Sequence, residues 1–264
     1  MRVDELRPGW RTDFTLHGVA AQVSERDDCL VVRTPGNPTY YWGNCLLLAE
    51  PPRDDALAHW LARFEAEIAA LQPASRHVAL GVNTPYAGEQ LPAWQAAGFE
   101  LHVNAVMRLL PGGLREPPVR KLPAVEVRPI VWQGPGAEVE AIVELECADT
   151  HGFEPAGYRA FLRRQFERYA QLHERGQCEW FGVWVGEPGQ AVLAADCGLV
   201  RDRAAAGATG RFQRVSTHPA WRVAELIMVA DPDDVAIGIY RSLGFAEFER
   251  EWCLERRAPE DRAA

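Results

Sequence analysis

The feature that most restricts what this 264-residue chain can fold into lies near its end. Leu226-Ile227-Met228-Val229 is a short apolar run with strand character, and it passes directly into Asp231-Pro232-Asp233-Asp234. Carboxylates at that point suit the unsatisfied N–H groups and positive end of a helix's first turn. Val235, Ile239 and Leu243 then recur every four residues, which predicts a helix with one apolar stripe. Gly244 supplies the left-handed residue that ends such a helix, and Phe245 to Leu254 reads as a second strand.

The same order occurs earlier in weaker form. An apolar strand at His77 to Val82 is followed by a short helical stretch ending Trp94-Gln95-Ala96-Ala97, then Gly98-Phe99, then a strand from Val103 to Leu110. Gly98-Phe99 matches Gly244-Phe245, but Trp94 stands where Tyr240 does and has no acidic proton to give. Self-similarity of this kind predicts two copies of one unit, the first degenerate. Ahead of the first copy, Cys29 to Arg33 and Tyr40 to Leu48 flank a turn-rich Thr34 to Pro38 and predict an antiparallel pair. Asp54 and Asp55 open a helix whose stripe is Leu57, Trp60, Leu61, Phe64, Ile68 and Leu71. Ahead of the second copy, a breaker-rich stretch from Pro111 to Pro118 reads as a linker. After it come a strand at Val125 to Arg128, helices around Val139 to Ala148 and Pro155 to Glu174, a hairpin over Trp180 to Val185 and Ala191 to Val200, and a strand from Arg211 to Thr217. The longer helix is expected to bury Tyr158, Phe161, Leu162, Phe166, Tyr169 and Leu172.

Strand, two helices, three strands, then strand, helix, Tyr-x-x-x-Gly-Phe and strand resembles the GCN5-related N-acetyltransferase (GNAT) family. The resemblance implies an α/β fold with a mixed (α+β) sheet and two GNAT-like acyl-CoA N-acyltransferase domains in tandem: a degenerate one at 1–112, a linker at 113–124 and a GNAT domain at 125–264. It implies acetyl-CoA as co-substrate, with Tyr240 protonating the departing thiolate. Val215, Ser216 and Thr217 would be the strand edge that holds the pantetheine arm. Asp233 stands where the family often has an asparagine on that arm, though a helix cap also accounts for it. In the family a loop of the form Arg/Gln-x-x-Gly-x-Gly/Ala then opens a helix that binds the pyrophosphate. Here Arg222, the remaining stub of that site, is followed at once by Val223-Ala224-Glu225 and the next strand. His218 to Ala224 is shorter than the roughly 10–12 residues a parallel crossover needs.

Two functions are therefore open. One is an N-acetyltransferase moving acetyl from acetyl-CoA to an amine by direct attack. The other is a non-catalytic binding or scaffold protein built on a GNAT frame. The cluster Glu144, Glu146, Asp149, His151 and Glu154 lies where GNAT proteins shape the acceptor pocket, and each member reads equally as a surface residue; His218 in a His-Pro pair reads as a turn.

Composition narrows the partners. The net charge is −9, and Lys121 is the only lysine. Arginines alternate with glutamates, as at Arg163, Arg164, Glu167 and Arg168, so there is no basic stripe to follow a phosphate backbone, and nucleic acid is not expected. No run is long and apolar enough to span a membrane, and the charged start Met1 to Arg7 lacks the apolar core of a signal peptide, which predicts a cytoplasmic protein. The expected partner is an amine-bearing small molecule or peptide, with a homodimer admitted. Six dispersed cysteines and seven dispersed histidines predict buried reduced thiols and no metal site.

Overall fold

The structure, a computed structural model, describes residues 1–17, 21–115, 125–134, 137–148, 150, 152–187, 189–201, 209–213 and 225–261. The chain divides into two compact units that do not follow one another along the sequence. The first comprises residues 1–106, 229–234 and 247–264, and the second residues 107–228 and 235–246.

In the first unit, helix α1 (Pro8–His17) precedes strands β1 (Gln22–Glu25), β2 (Cys29–Arg33) and β3 (Cys45–Leu48). As expected, β2 and β3 are antiparallel, with Leu30 opposite Leu47. Part of the strand expected from Tyr40 is instead a single turn of 3-10 helix, Tyr41–Gly43. It is pinned by Asn44, whose Nδ2 donates to the carbonyls of Asn37 and Tyr40 at 2.8 Å each. The next helix begins as a 3-10 turn at Asp54–Ala56, continues as α2 (Leu57–Phe64) and finishes as a π turn, Glu65–Ala69. Trp60, Phe64 and Ile68 of its stripe are buried with β2, β3 and β4 (Val78–Val82), while Leu71 lies past the helix and is exposed. Helix α3 (Pro92–Ala96) and strand β5 (Glu100–Leu109) complete the first copy.

The sheet of this unit runs β1-β2-β3-β4-β11-β5, where β11 (Ala246–Arg256) is the last strand of the chain. β11 is antiparallel to β4, with Trp252 opposite Val82 and Leu254 opposite Leu80. Trp252 is wholly buried, and its Nε1 donates to the Thr84 carbonyl at 3.1 Å. Burying an indole of that size contributes on the order of 3 kcal/mol, so the pairing is anchored by packing as well as by its ladder.

The second unit holds β6 (Val125–Pro129), helices α4 (Val139–Glu146) and α5 (Pro155–Glu174), strands β7 (Cys178–Val185), β8 (Val192–Arg201), β9 (Thr209–Gln213) and β10 (Glu225–Ala230, shared with the first unit at its end), and helix α6 (Ala236–Ser242). From the last residues of β5 its strand order is β5-β10-β9-β8-β7-β6. Glu154 caps α5 by accepting from the Ala156 and Gly157 N–H groups at 2.9 and 2.7 Å. Leu162, Phe166, Tyr169 and Leu172 of α5 are buried as expected, whereas Tyr158 and Phe161, nearer its start, are half-buried.

The internal repeat predicted from Gly98-Phe99 and Gly244-Phe245 is present as geometry. In the first copy Gly98, at φ +83°, lets the Phe99 N–H donate back to the Trp94 carbonyl at 3.0 Å. In the second, Gly244 at φ +101° lets the Phe245 N–H donate to the Tyr240 carbonyl at 3.1 Å. Each phenylalanine then meets the ring five residues before it edge-on, at 5.1 Å for Trp94 and 6.3 Å for Tyr240. This is one helix-ending turn used twice.

Candidate active site

The two copies differ most where a parallel strand pair ends. In the first, β3 and β4 are paired at their carboxyl ends: Leu46, Leu47 and Leu48 face Leu80, Gly81 and Val82, and the Asn83 N–H donates to the Leu48 carbonyl at 2.8 Å. Trp10 of α1 lies against Gly81, where a Cβ would come within 2.6 Å of the indole, and its Nε1 donates to the Val82 carbonyl at 2.9 Å. This crevice is shut.

In the second copy the parallel pair β9 and β10 is joined at its amino ends. Thr209, Gly210 and Arg211 face Glu225, Leu226 and Ile227, after which β9 continues to Gln213 and β10 to Ala230 with no further pair between them among the described residues. On its other side β9 stays paired to β8 through Gln213. Beyond Arg211 the side of β9 turned away from β8 therefore has no strand partner among the described residues, and carboxyl ends of parted parallel strands are where open α/β sheets take ligands.

Helix α6 follows β10. Its burial departs from the sequence expectation: Val235 and Ile239 are 87% and 52% exposed, and Ile237 is the residue packed inside. The inward positions are Ile237, Tyr240 and Gly244, spaced three and four residues apart rather than four and four, on another side of a helix only seven residues long. Gly244 fixes that turn. A Cβ there would lie 2.1 Å from the Gly113 carbonyl oxygen, and the Arg115 N–H donates to the Leu243 carbonyl at 2.9 Å. Tyr240 is thus half-buried on the inward face. Asp233 is exposed and makes no side-chain cap; instead its N–H donates to the Asp231 carboxylate at 2.9 Å, so the acidic stretch forms an Asx turn ahead of the helix. Val215, Ser216, Thr217 and Arg222, with His218 and the expected shortened loop, lie outside the described residues. Between the described ends of β9 and β10 there are 11 residues (214–224), against 29 (49–77) between β3 and β4.

Of the acidic cluster around α4, Glu144 pairs with Arg159, Glu154 is spent on the α5 cap and Glu146 is buried; Asp149 and His151 lie outside the described residues. Arg168, one of the arginines that alternate with glutamates along α5, is buried, its Nη1 donating to Gln165 Oε1 at 3.0 Å.

Sequence reasoning missed Asp196. It sits on β8 opposite Gly182 and is 8% exposed; its carboxylate accepts from Trp180 Nε1 at 2.8 Å. Trp180 is itself stacked on Tyr169 at 4.8 Å and meets Phe166 of α5 edge-on. Burial disfavours the carboxylate form and, against the opposing pull of the indole hydrogen bond, pushes the acid from 3.8 to about 6. The signal available was an aspartate in the middle of an otherwise apolar strand.

The β-α-α-β-β-β order, followed by strand, helix and strand, defines the class of fold, that of the GCN5-related N-acetyltransferases. A GCN5-related N-acetyltransferase from Kribbella flavida shares 12% identity over 94% of this chain and 93% of its own, with a TM-score of 0.53. A functionally unknown conserved protein from Staphylococcus epidermidis matches at a TM-score of 0.68 and 12% identity, over 91% of this chain and 95% of that one. A tandem GNAT protein from the clavulanic acid biosynthesis pathway aligns over 91% of this chain and 84% of its own at 11% identity, with a TM-score of 0.47. No family profile and no curated protein matches the sequence.

Proposed function

We propose that this protein is an N-acetyltransferase that moves acetyl from acetyl-CoA to an amine by direct attack, in its second GNAT copy, with the first copy as scaffold. The observation that carries this is the parting of β9 and β10 at their carboxyl ends, set against the closed ladder and the Trp10 plug of the first copy. The freed edge of β9, continuing into Val215, Ser216 and Thr217, would hydrogen-bond the amide groups of the pantetheine arm, and Arg222 would meet the pyrophosphate. Acetyl-CoA, when bound, supplies the activated acetyl thioester. Tyr240, on the inward face of α6, would give its proton to the thiolate as the carbon–sulfur bond breaks; a phenol of pKa about 10 suits that task once water is excluded. Direct attack is favoured because burial pushes the thiols of Cys29, Cys45, Cys147, Cys178 and Cys253 up, the first to about 11, which leaves them poor nucleophiles. No helix among the described residues is long and apolar enough to cross a membrane, in keeping with a cytoplasmic enzyme.

The stretch of only 11 residues between the described ends of β9 and β10 favours the scaffold alternative, because it leaves little chain for a pyrophosphate-binding helix. Calorimetry with acetyl-CoA separates the two: micromolar binding sinks the scaffold, and no binding by the intact chain sinks the enzyme. With an amine found by screening, Tyr240→Phe is expected to lower turnover about 10²- to 10⁴-fold while leaving acetyl-CoA binding in place. Unchanged turnover would remove Tyr240 from the mechanism.

A further inference from the structure

Among the described residues β6 is the outermost strand of its sheet, with no strand on its outer side. Ladder parity sets which backbone groups are free. The Ile130 N–H donates inward to the Trp180 carbonyl at 2.9 Å, so Arg128 and Glu126, two and four residues earlier, also direct their N–H and C=O groups towards β7. Val125, Val127 and Pro129 therefore point theirs outward, and Pro129, having no N–H, wastes no donor there.

One face of this corner is also apolar and uncovered among the described residues. Val127 and Val192 are 54% and 65% exposed, Val185 is 38% exposed, and Val125 and Val183 are half-buried beside them. The register puts Val127 opposite Val183 and Val125 opposite Val185, which is in turn opposite Val192, so all five share one side of the sheet. On the other side stand exposed Glu126 and half-buried Arg128. The Arg128 guanidinium is held by Glu138 at 2.6 and 2.8 Å and lies 4.6 Å over the Trp184 ring.

We propose that two copies of this chain associate through antiparallel β6–β6 pairing about a two-fold axis at Val127. In that register each Val127 N–H donates to the Val127 carbonyl of the other copy, and each Val125 N–H donates to the other Pro129 carbonyl, which uses every outward donor of the strand. The same register sets Glu126 of one copy opposite Arg128 of the other, in both directions, an opposite-charge cross-strand pair. It also joins the two valine faces across the seam. The sequence Val-Glu-Val-Arg-Pro is self-complementary only when centred on Val127, and a two-fold interface requires such a patch. β6 carries no lysine and no bulge, and its two charges, Glu126 and Arg128, meet their opposites in this register rather than repel.

Sedimentation velocity on the intact chain from about 1 to 100 µM tests this, a dimer at twice 29.4 kDa being expected. Glu126→Arg, on an exposed side chain, would set like charges opposite one another and should raise the dissociation constant at least about 10-fold. Val127→Lys should do the same, with near-UV circular dichroism showing both variants folded. A chain that stays monomeric throughout, or a dimer that neither substitution weakens, overturns the proposal.

Discussion

Replacing Asp196 by asparagine should stabilise this protein at neutral pH, although it alters a buried, hydrogen-bonded group. The amide oxygen can still accept from Trp180 Nε1, so the 2.8 Å contact survives while the buried negative charge goes. The acid is raised from 3.8 to about 6 in the folded chain, which means the folded state binds its proton more tightly than the unfolded one. Between those values lowering the pH therefore favours folding. Above about 6 the ionised group costs its full penalty, and below about 3.8 the penalty is gone in both states. A separation of about 2 pH units at 1.36 kcal/mol each puts the ceiling near 3 kcal/mol. Urea unfolding of wild type and Asp196→Asn, followed by circular dichroism from pH 8 to 4, should give a variant more stable by up to about 3 kcal/mol at pH 7.5. The advantage should shrink as pH falls through 6 and vanish near 4. A variant less stable at pH 7.5, or a difference that does not change with pH, would show that burial does not govern this carboxyl.

His77 should respond to acid with the opposite sign. Burial holds it at about 4 rather than 6.5, stacked 4.0 Å from Tyr41 with Nε2–H donating to the Asn44 carbonyl, so stability is full above about 6.5 and falls by up to about 3 kcal/mol as pH drops to 4. Hydrogen exchange read peptide by peptide, corrected for intrinsic rates, should show β3 and β4 loosening in acid. Gly98→Ala and Gly244→Ala test the repeated turn: both force alanine to positive φ at about 1–2 kcal/mol. Only the second also drives a Cβ to 2.1 Å from a backbone oxygen, so Gly244→Ala should lower the denaturation midpoint clearly more than Gly98→Ala, whose nearest neighbour is at 3.9 Å.

The elements of this fold are legible in the sequence because each is local. The strand at Val78 to Val82, the stripe of Trp60, Phe64 and Ile68, and the two Gly-Phe turns are set by residues a few positions apart. What eluded the sequence depends on distance along the chain. Nothing in Trp252-Cys253-Leu254 names β4 as its partner, since an apolar strand fits any edge with room for its side chains. The stripe of α6 was misjudged because Val235 and Ile239 are as apolar as Ile237, and the choice between faces is made by Gly113 packing on Gly244. Asp196 was passed over and Arg168 read as part of a mixed-charge run because their burial is imposed by tertiary packing, of α5 on β7 and of α4 on β8. Tyr240 was nominated by its motif and sits on the inward side of its helix, whereas the edge at Val215 to Thr217 was named through family resemblance, which packing patterns alone do not supply.

The membership of β11 in the first unit has a consequence for how the protein is made. During synthesis β4 leaves the ribosome long before its antiparallel neighbour, so Val78 to Val82 must wait with an open edge until β11 has been translated. Neither copy can finish as an independent piece, and cutting the gene between them would produce two fragments, each lacking part of its own sheet. Completion of the whole molecule is thereby tied to one late event, the arrival of Trp252 in the core beside Val82.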